Sequence, residues 1–174
     1  LLDVDAAATM AQLRNLTRGI AQVLPGSPAG VLTGVDSAVQ TLDVAAVATV
    51  VLVSVSTDGR SARWSSAGHL PPVLIDPTGA ARILEAPPDL LLGLDPGLPR
   101  ADHEVELAAG SVLVLYSDGL VERRGTVIDE SLAWLTGVLD GQVGLDHEQL
   151  ADLVLAAAGD DLEDDVALLV LRVG

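Results

Sequence analysis

Apolar residues recur along this chain in two different periods, and the switches between them divide it into elements. Over residues 6–24 the positions Met10, Leu13, Leu16, Ile20 and Leu24 advance by threes and fours, which predicts a helix with one buried face. Asp3 or Asp5 can cap its start, and Pro25-Gly26 stops it. Ser27-Pro28 is an N-cap followed by proline at the first helical position, so a second helix is expected over residues 28–42. The pattern then turns apolar and β-branched. Residues 47–56 read as a central strand, Asp58-Gly59 as a hairpin turn, and residues 62–66 as the return strand. Ala67-Gly68-His69-Leu70-Pro71-Pro72 is a proline-stiffened crossing into a strand over residues 73–75. Pro77-Thr78-Gly79 turns the chain toward a short edge strand, residues 82–84.

A loop rich in Pro, Gly and Leu covers residues 86–99, followed by a strand over 104–107, a turn at Ala109-Gly110 and a central strand over 112–116. Two amphipathic helices follow, residues 128–139 and 147–158, the second capped by Asp146. A strand over residues 166–172 closes the chain. Helices, then strands, then helices and a last strand predict an α+β layered domain with antiparallel sheets. With no repeat, low-complexity tract or linker, all 174 residues are expected to form a single domain.

Composition narrows the function. Apolar residues make up 49% of the chain but aromatics only 2%, with no Phe, so the core must be built from Val, Leu, Ala and Ile. A net charge of −16 argues against a nucleic-acid surface. It also means that any phosphorylated substrate must be attracted locally, most simply by bound metal ions. The absence of Cys excludes disulfides and thiol catalysis and suits a reducing cytoplasm. The first residues lack the basic start of a secretory signal, and the longest apolar run, residues 44–55, is too short for a membrane span.

The candidate chemistry sits at two strand ends. Leu113-Val114-Leu115-Tyr116-Ser117-Asp118-Gly119-Leu120-Val121-Glu122 is an apolar strand that breaks into an Asp-Gly turn. Glu163-Asp164-Asp165 opens the last apolar strand. Alone, Asp118 is a common turn aspartate, and Asp164-Asp165 a solvated acidic loop. Together, two strands that each deliver Asp at one tip suggest a shared site for a hard cation, where oxygen ligands select Mg²⁺, Mn²⁺ or Ca²⁺ over zinc.

Four stretches, in order, give the chain its resemblance to a family. They are Asp5-Ala6-Ala7-Ala8-Thr9-Met10 with Leu13-Arg14, then Ala67-Gly68-His69-Leu70-Pro71-Pro72, then Leu115 to Glu122, then Asp164-Asp165-Val166-Ala167-Leu168-Leu169-Val170. Pro88-Asp89-Leu90-Leu91-Leu92-Gly93 lies between the second and third. The chain resembles the PPM-type (protein phosphatase 2C-like) serine/threonine phosphatases in their bacterial SpoIIE/RsbU-like branch. The resemblance implies a four-layer α/β/β/α sandwich of two antiparallel sheets flanked by helices. It implies two Mn²⁺ or Mg²⁺ ions and a metal-activated water that attacks a phosphoserine or phosphothreonine. Carried over by position, Asp118 and Asp164 are catalytic metal ligands, and Asp165 is the third metal-site carboxylate, binding water or pinning the loop. Gly119 stands where a side chain would crowd the site. The branch implies a phosphorylated anti-sigma factor antagonist or similar regulatory protein as substrate, within a cytoplasmic stress or developmental switch. A sensory domain upstream is a further implied partner; nucleic acid and membrane are not.

The departures are specific. Asp3 aligns with the end of the family's Gly-Asp-Val-x-Gly-His segment, Leu1 and Leu2 stand where Gly and His are expected, and the bridging Asp has no counterpart. The expectation is a domain that lacks its N-terminal strands and first metal ligands in this sequence; Asp3 and Asp5 are not promoted in their place. Ser117 and Ala167 stand where the family usually has Thr; Ser117 keeps the hydroxyl and Ala167 does not. His69 reads as a loop histidine bonded to backbone rather than a general acid. Arg123-Arg124 reads equally as a phosphate-attracting pair or as relief of an acidic surface. His103 and His147 read as surface residues, Trp64 and Trp134 as packing, Asp160-Asp161 as a solvated loop, and Leu90-Leu91-Leu92 as core. The competing function is a catalytically inactive phosphatase-like module that regulates a partner by docking.

Overall fold

The computed structural model describes residues 6–44, 46–87, 89–122, 125–159 and 164–174 in full, and the backbone of Val4 and Asp5. Expectations placed on Asp3, Pro88, Arg123, Arg124, Asp160, Asp161 and Glu163 fall outside these residues. The described chain forms two compact units, Leu1–His69 with Ala86–Glu106, and Leu70–Glu85 with Leu107–Gly174. Each is a helix pair on an antiparallel sheet, the α+β class expected.

The first unit holds α1 (Val4–Val23), α2 (Pro28–Thr41), β1 (Val50–Val55), β2 (Ser61–Ala67) and β5 (His103–Glu106). Its sheet runs β1-β2-β5. Residues 47–56 were expected to form a central strand; β1 is instead at an edge, shorter, and β2 takes the centre. The apolar run misled because every residue of β1 is only half-buried, whereas β2 hydrogen-bonds on both sides. Ala48 makes a lone bridge to Leu92 rather than extending β1. The core joins Leu13 of α1 with Val31, Leu32, Val35 and Val39 of α2, Ala67 of β2 and Leu92 of the loop. Leu16 and Ile20 flank it, but Met10, at the far end of the predicted stripe, is 59% exposed.

Helix α2 is capped from two directions. Ser27 Oγ accepts from Gly30 N–H (3.1 Å) and donates to Asp102 Oδ2 (3.0 Å), and Asp102 Oδ1 accepts from Ala29 N–H (2.7 Å). A carboxylate at a helix N-terminus meets both the free amides and the positive end of the dipole. In the middle of α2 lies Asp36, fully buried. Its carboxylate pairs with Arg100 (2.7 Å) and accepts from Gly93 N–H (2.7 Å). Gly93 has φ +86° there, and a Cβ on it would lie 1.9 Å from the Ala46 carbonyl oxygen. Leu92, in the run expected to be core, is fully buried; Leu90 is not.

The second unit holds β3 (Val73–Ile75), β4 (Ala81–Ile83), β6 (Val112–Tyr116), α3 (Ile128–Leu139), α4 (His147–Ala158) and β7 (Leu168–Arg172), with a single 3₁₀ turn at Asp118–Leu120. Its sheet order is β4-β3-β6-β7, with β4 at an edge and β6 inside, as expected. Strand alternation turns Val73, Ile75, Val112, Val114 and Tyr116 toward Leu135 and Leu139 of α3 and Leu150, Val154 and Ala158 of α4. Tyr116 donates its hydroxyl to the Pro71 carbonyl (2.9 Å), and burial pushes its phenol well above the ordinary value, so it stays a neutral donor. Asp146 and Gln149 form a capping box on α4. At the 77–79 turn Asp76 accepts from the Thr78 hydroxyl and from the Thr78 and Ala80 amides, and the Thr78 hydroxyl above all holds its carboxyl below the ordinary value.

Candidate active site

The two aspartate tips meet because β6 and β7 are neighbours. They pair antiparallel from Val112↔Arg172 to Tyr116↔Leu168, so the C-terminal end of one lies beside the N-terminal end of the other. Ser117 N–H continues the ladder one step further by donating to the Ala167 carbonyl (2.8 Å). Asp118 then opens the 3₁₀ turn, exposed, with its backbone carbonyl accepting from the amides of Val121 (2.8 Å) and Glu122 (2.7 Å). Its Oδ1 accepts from Gly119 N–H (2.9 Å). Across the ladder, Asp164 Oδ1 accepts from Asp165 N–H (2.8 Å) in the same way. Each of these two carboxylates is thus oriented by the next amide through one oxygen. Among the described residues, neither they nor Asp165 pairs with a basic side chain.

Gly119 makes the approach possible. A Cβ there would sit 2.6 Å from the Asp165 carbonyl oxygen, closer than side chains pack, and a tight 3.3 Å from the Asp164 carbonyl carbon. The absence of a side chain at Gly119 spares the backbone of the opposite tip. Gly119→Ala is therefore expected to push the tips apart and destabilise the chain by about 1–3 kcal/mol, the range for overpacked sites, with the urea midpoint as the check. A midpoint unchanged from wild type would refute the close approach.

The structure brings Asp118, Asp164 and Asp165 to one end of one sheet. Among the described residues, however, no three His, Asp or Glu side chains gather tightly enough to hold an ion by themselves. The residues fit a hard cation in donor chemistry, all carboxylate, and in the tip-to-tip approach that Gly119 permits. Three carboxylates are fewer groups than such an ion usually takes as ligands. One residue of the site escaped sequence reasoning in its role: Ser117 Oγ accepts from Ala167 N–H (2.8 Å) and donates to the Asp165 carbonyl (3.3 Å), so it ties the two tips together. Its only sequence signal was a hydroxyl retained beside the Asp.

The other candidates resolve into structure. His69 donates its N–H to Ser66 Oγ (3.0 Å) and accepts from it at its carbonyl (2.9 Å), a backbone arrangement in a loop turned by Gly68. Trp64 is buried and packs against His103 with the rings tilted by 38° and 4.7 Å between centroids, so His103 is half-buried rather than a free surface residue. Trp134 packs against the second unit's core, and His147 is exposed. A shallow cavity of about 190 Å³ in the first unit is bordered by Ser66, Pro87, Asp89, Pro99 and His103. Its polar groups are committed: Ser66 to the 69 backbone, Asp89 to Arg100 at 3.6 Å.

Two antiparallel sheets, each carrying a helix pair, with three aspartates at the paired ends of two strands, match the arrangement of a PP2C-like phosphatase domain. Known proteins place it further. The family model for stage II sporulation protein E (SpoIIE) matches residues 3–174, and the chain belongs to that family. Among solved structures it is similar to the RsbU and RsbW domains of Rv1364c from Mycobacterium tuberculosis, at 27% identity and TM-score 0.78, over 97% of this chain and 49% of that one. It shares its fold with the SiaA PP2C domain of Pseudomonas aeruginosa, at 20% identity and TM-score 0.72, over 95% of this chain and 69% of that one. It shares it too with RsbX in complex with magnesium, at 15% identity and TM-score 0.69, over 94% of this chain and 71% of that one. The chain thus spans about half the length of the solved mycobacterial chain and about 70% of the other two.

Proposed function

We propose that residues 1–174 belong to one metal-dependent protein serine/threonine phosphatase domain that uses Mn²⁺ or Mg²⁺. The observation that carries this reading is the convergence of Asp118 with Asp164 and Asp165 at the paired ends of β6 and β7. Asp118 and Asp164 would hold the cations through the carboxylate oxygens not engaged by the neighbouring amides. Asp165 adds negative charge and positions water or loop. When bound, a pair of divalent ions supplies charge screening for the phosphate and a water of lowered pKa. In a chain of net charge −16 that screening is also what lets a phosphoprotein approach.

The substrate is a phosphoserine or phosphothreonine on a regulatory protein, in the leading case an anti-sigma factor antagonist, within cytoplasmic signalling. The likeness to the RsbU and RsbW domains of the mycobacterial chain supports this. No described helix is long and apolar enough to cross a membrane. The second reading, an inactive docking module, draws on the lack of a ready three-residue cluster among the described residues.

The test is phosphatase activity of the full natural protein, stripped with chelator and then supplied with Mn²⁺ or Mg²⁺, on an aryl phosphate and on a phosphorylated antagonist. Hydrolysis that appears with metal and vanishes with chelator is the expected result. A folded protein inert with both metals and both substrates would transfer the case to the docking module.

A further inference from the structure

We infer that Ser117 is a positioning residue for the cation site, acting by locking the two aspartate tips into one register. This rests on the metal-dependent reading above and deepens it. The hydroxyl of Ser117 sits half-buried between the tips and uses both of its hydrogen-bonding modes across them. As acceptor it takes Ala167 N–H at 2.8 Å, and as donor it reaches the Asp165 carbonyl at 3.3 Å. The same residue's backbone N–H holds the Ala167 carbonyl at 2.8 Å. Three bonds from one residue therefore span the gap where the β6–β7 ladder ends at Tyr116↔Leu168.

The consequence follows from chain connectivity. Ser117 is covalently next to Asp118, and the Asp165 carbonyl it grips is one residue from Asp164. With the hydroxyl in place, a displacement of one tip along the strand axis moves the other with it. The Asp165 carbonyl is also the oxygen that Gly119 approaches, so the hydroxyl pulls together what glycine allows to close. Without the hydroxyl, the Ala167 amide loses its side-chain acceptor and the Asp165 carbonyl its donor. Among the described residues, the two tips are then joined by the Ser117 N–H bond to the Ala167 carbonyl and by the ladder below it. Carboxylates that repel one another in the free protein would settle further apart, and a cation would have to bring them back at the expense of its own affinity.

Serine is suited to this place in a way alanine is not, and threonine preserves the hydroxyl with a stiffer side chain. The experiment is Mn²⁺ titration calorimetry on the full natural protein as wild type, Ser117→Ala and Ser117→Thr, alongside their metal-free melting temperatures. Ser117→Ala is expected to bind Mn²⁺ about tenfold more weakly or worse, the range for groups that orient metal ligands. Ser117→Thr is expected to bind as wild type does. If Ser117→Ala binds as tightly as wild type, whether or not its melting temperature falls, the positioning role is overturned and the phosphatase reading stands. If wild type itself takes up no Mn²⁺, the metal-dependent reading fails and this inference fails with it. Hydrogen exchange of the Ala167 amide in the wild type gives a measure independent of how well any variant folds. Protection supports the bridge, and exchange at the rate of a free amide overturns it.

Discussion

Asp118→Asn is expected to cut the metal-dependent kcat/KM on a phosphoprotein by more than about a hundredfold while leaving the protein folded. Groups that only orient a ligand cost roughly ten- to a hundredfold when removed, so a ligand itself costs more. The substitution is close to isosteric. Its side-chain oxygen can still accept from Gly119 N–H, the bond that sets the present rotamer at 2.9 Å. The backbone carbonyl of residue 118, which closes the 3₁₀ turn through Val121 and Glu122, is untouched. What is lost is one negative charge and its capacity to bind a dication. Because Asp118 is exposed and shares its sheet end with two other aspartates, removing the charge also relieves repulsion in the metal-free state. Urea midpoints without metal should therefore be equal to wild type or slightly higher, and the gain in stability on adding Mn²⁺ should shrink. A variant that keeps activity within a few-fold of wild type would remove Asp118 from the site.

The second large effect lies in the first unit. Arg100 and Asp36 are 3% and 1% exposed in their side chains and 2.7 Å apart. Arg100 also donates to the loop carbonyls of Leu90 at 3.0 Å and Leu91 at 3.4 Å and to the Ser66 carbonyl of β2 at 3.5 Å, while Asp36 Oδ1 takes the Gly93 amide. The pair thus pins the 89–93 loop to α2. Replacing Arg100 by Met removes one partner and leaves a buried carboxylate without its countercharge. Breaking a buried pair in this way costs about 3–5 kcal/mol, far more than the pair itself contributes against an apolar replacement. Asp36→Leu leaves the guanidinium with only the partly exposed Asp89 carboxylate at 3.6 Å, and should cost less than Arg100→Met. The double variant should cost much less than the sum, because neither charge remains. Urea denaturation of the four proteins gives the coupling directly. Single variants within about 1 kcal/mol of wild type would mean that water reaches the pair and that the loop is held by its apolar contacts alone.

These two sites were not equally visible in the sequence. Asp118 was, because an apolar strand that ends in Asp-Gly is a local pattern and needs no partner to be noticed. Asp164-Asp165 was visible for the same reason, and the expectation that the two tips share one end of a sheet followed from both being strand ends. Asp36 and Arg100 were invisible. They are 64 positions apart, one in an amphipathic helix and one in a Pro-rich loop, and nothing local distinguishes them from solvated charges. Ser117 was read as a retained hydroxyl, but its partners lie about 50 positions away, so its role could not be read from neighbours.

The elements show the same division. Helices over residues 128–139 and 147–158 and the strand over 112–116 have the limits their patterns predicted, since periodicity, caps and turns are properties of neighbouring residues. Residues 47–56 read as a central strand and became a shorter edge strand, because centrality is set by which strand pairs on both sides. Periodicity, caps and motif order were enough for most of the elements, the α+β class, the place of the two aspartate tips at strand ends and the family likeness, all carried by short-range order or by motifs in fixed succession. Only the tertiary structure decided which strand is central, which carboxylate is paired and buried, and what holds the tips together. Those depend on residues distant in the chain meeting across a ladder or a core, where a hydrogen bond or an ion pair leaves no periodic trace.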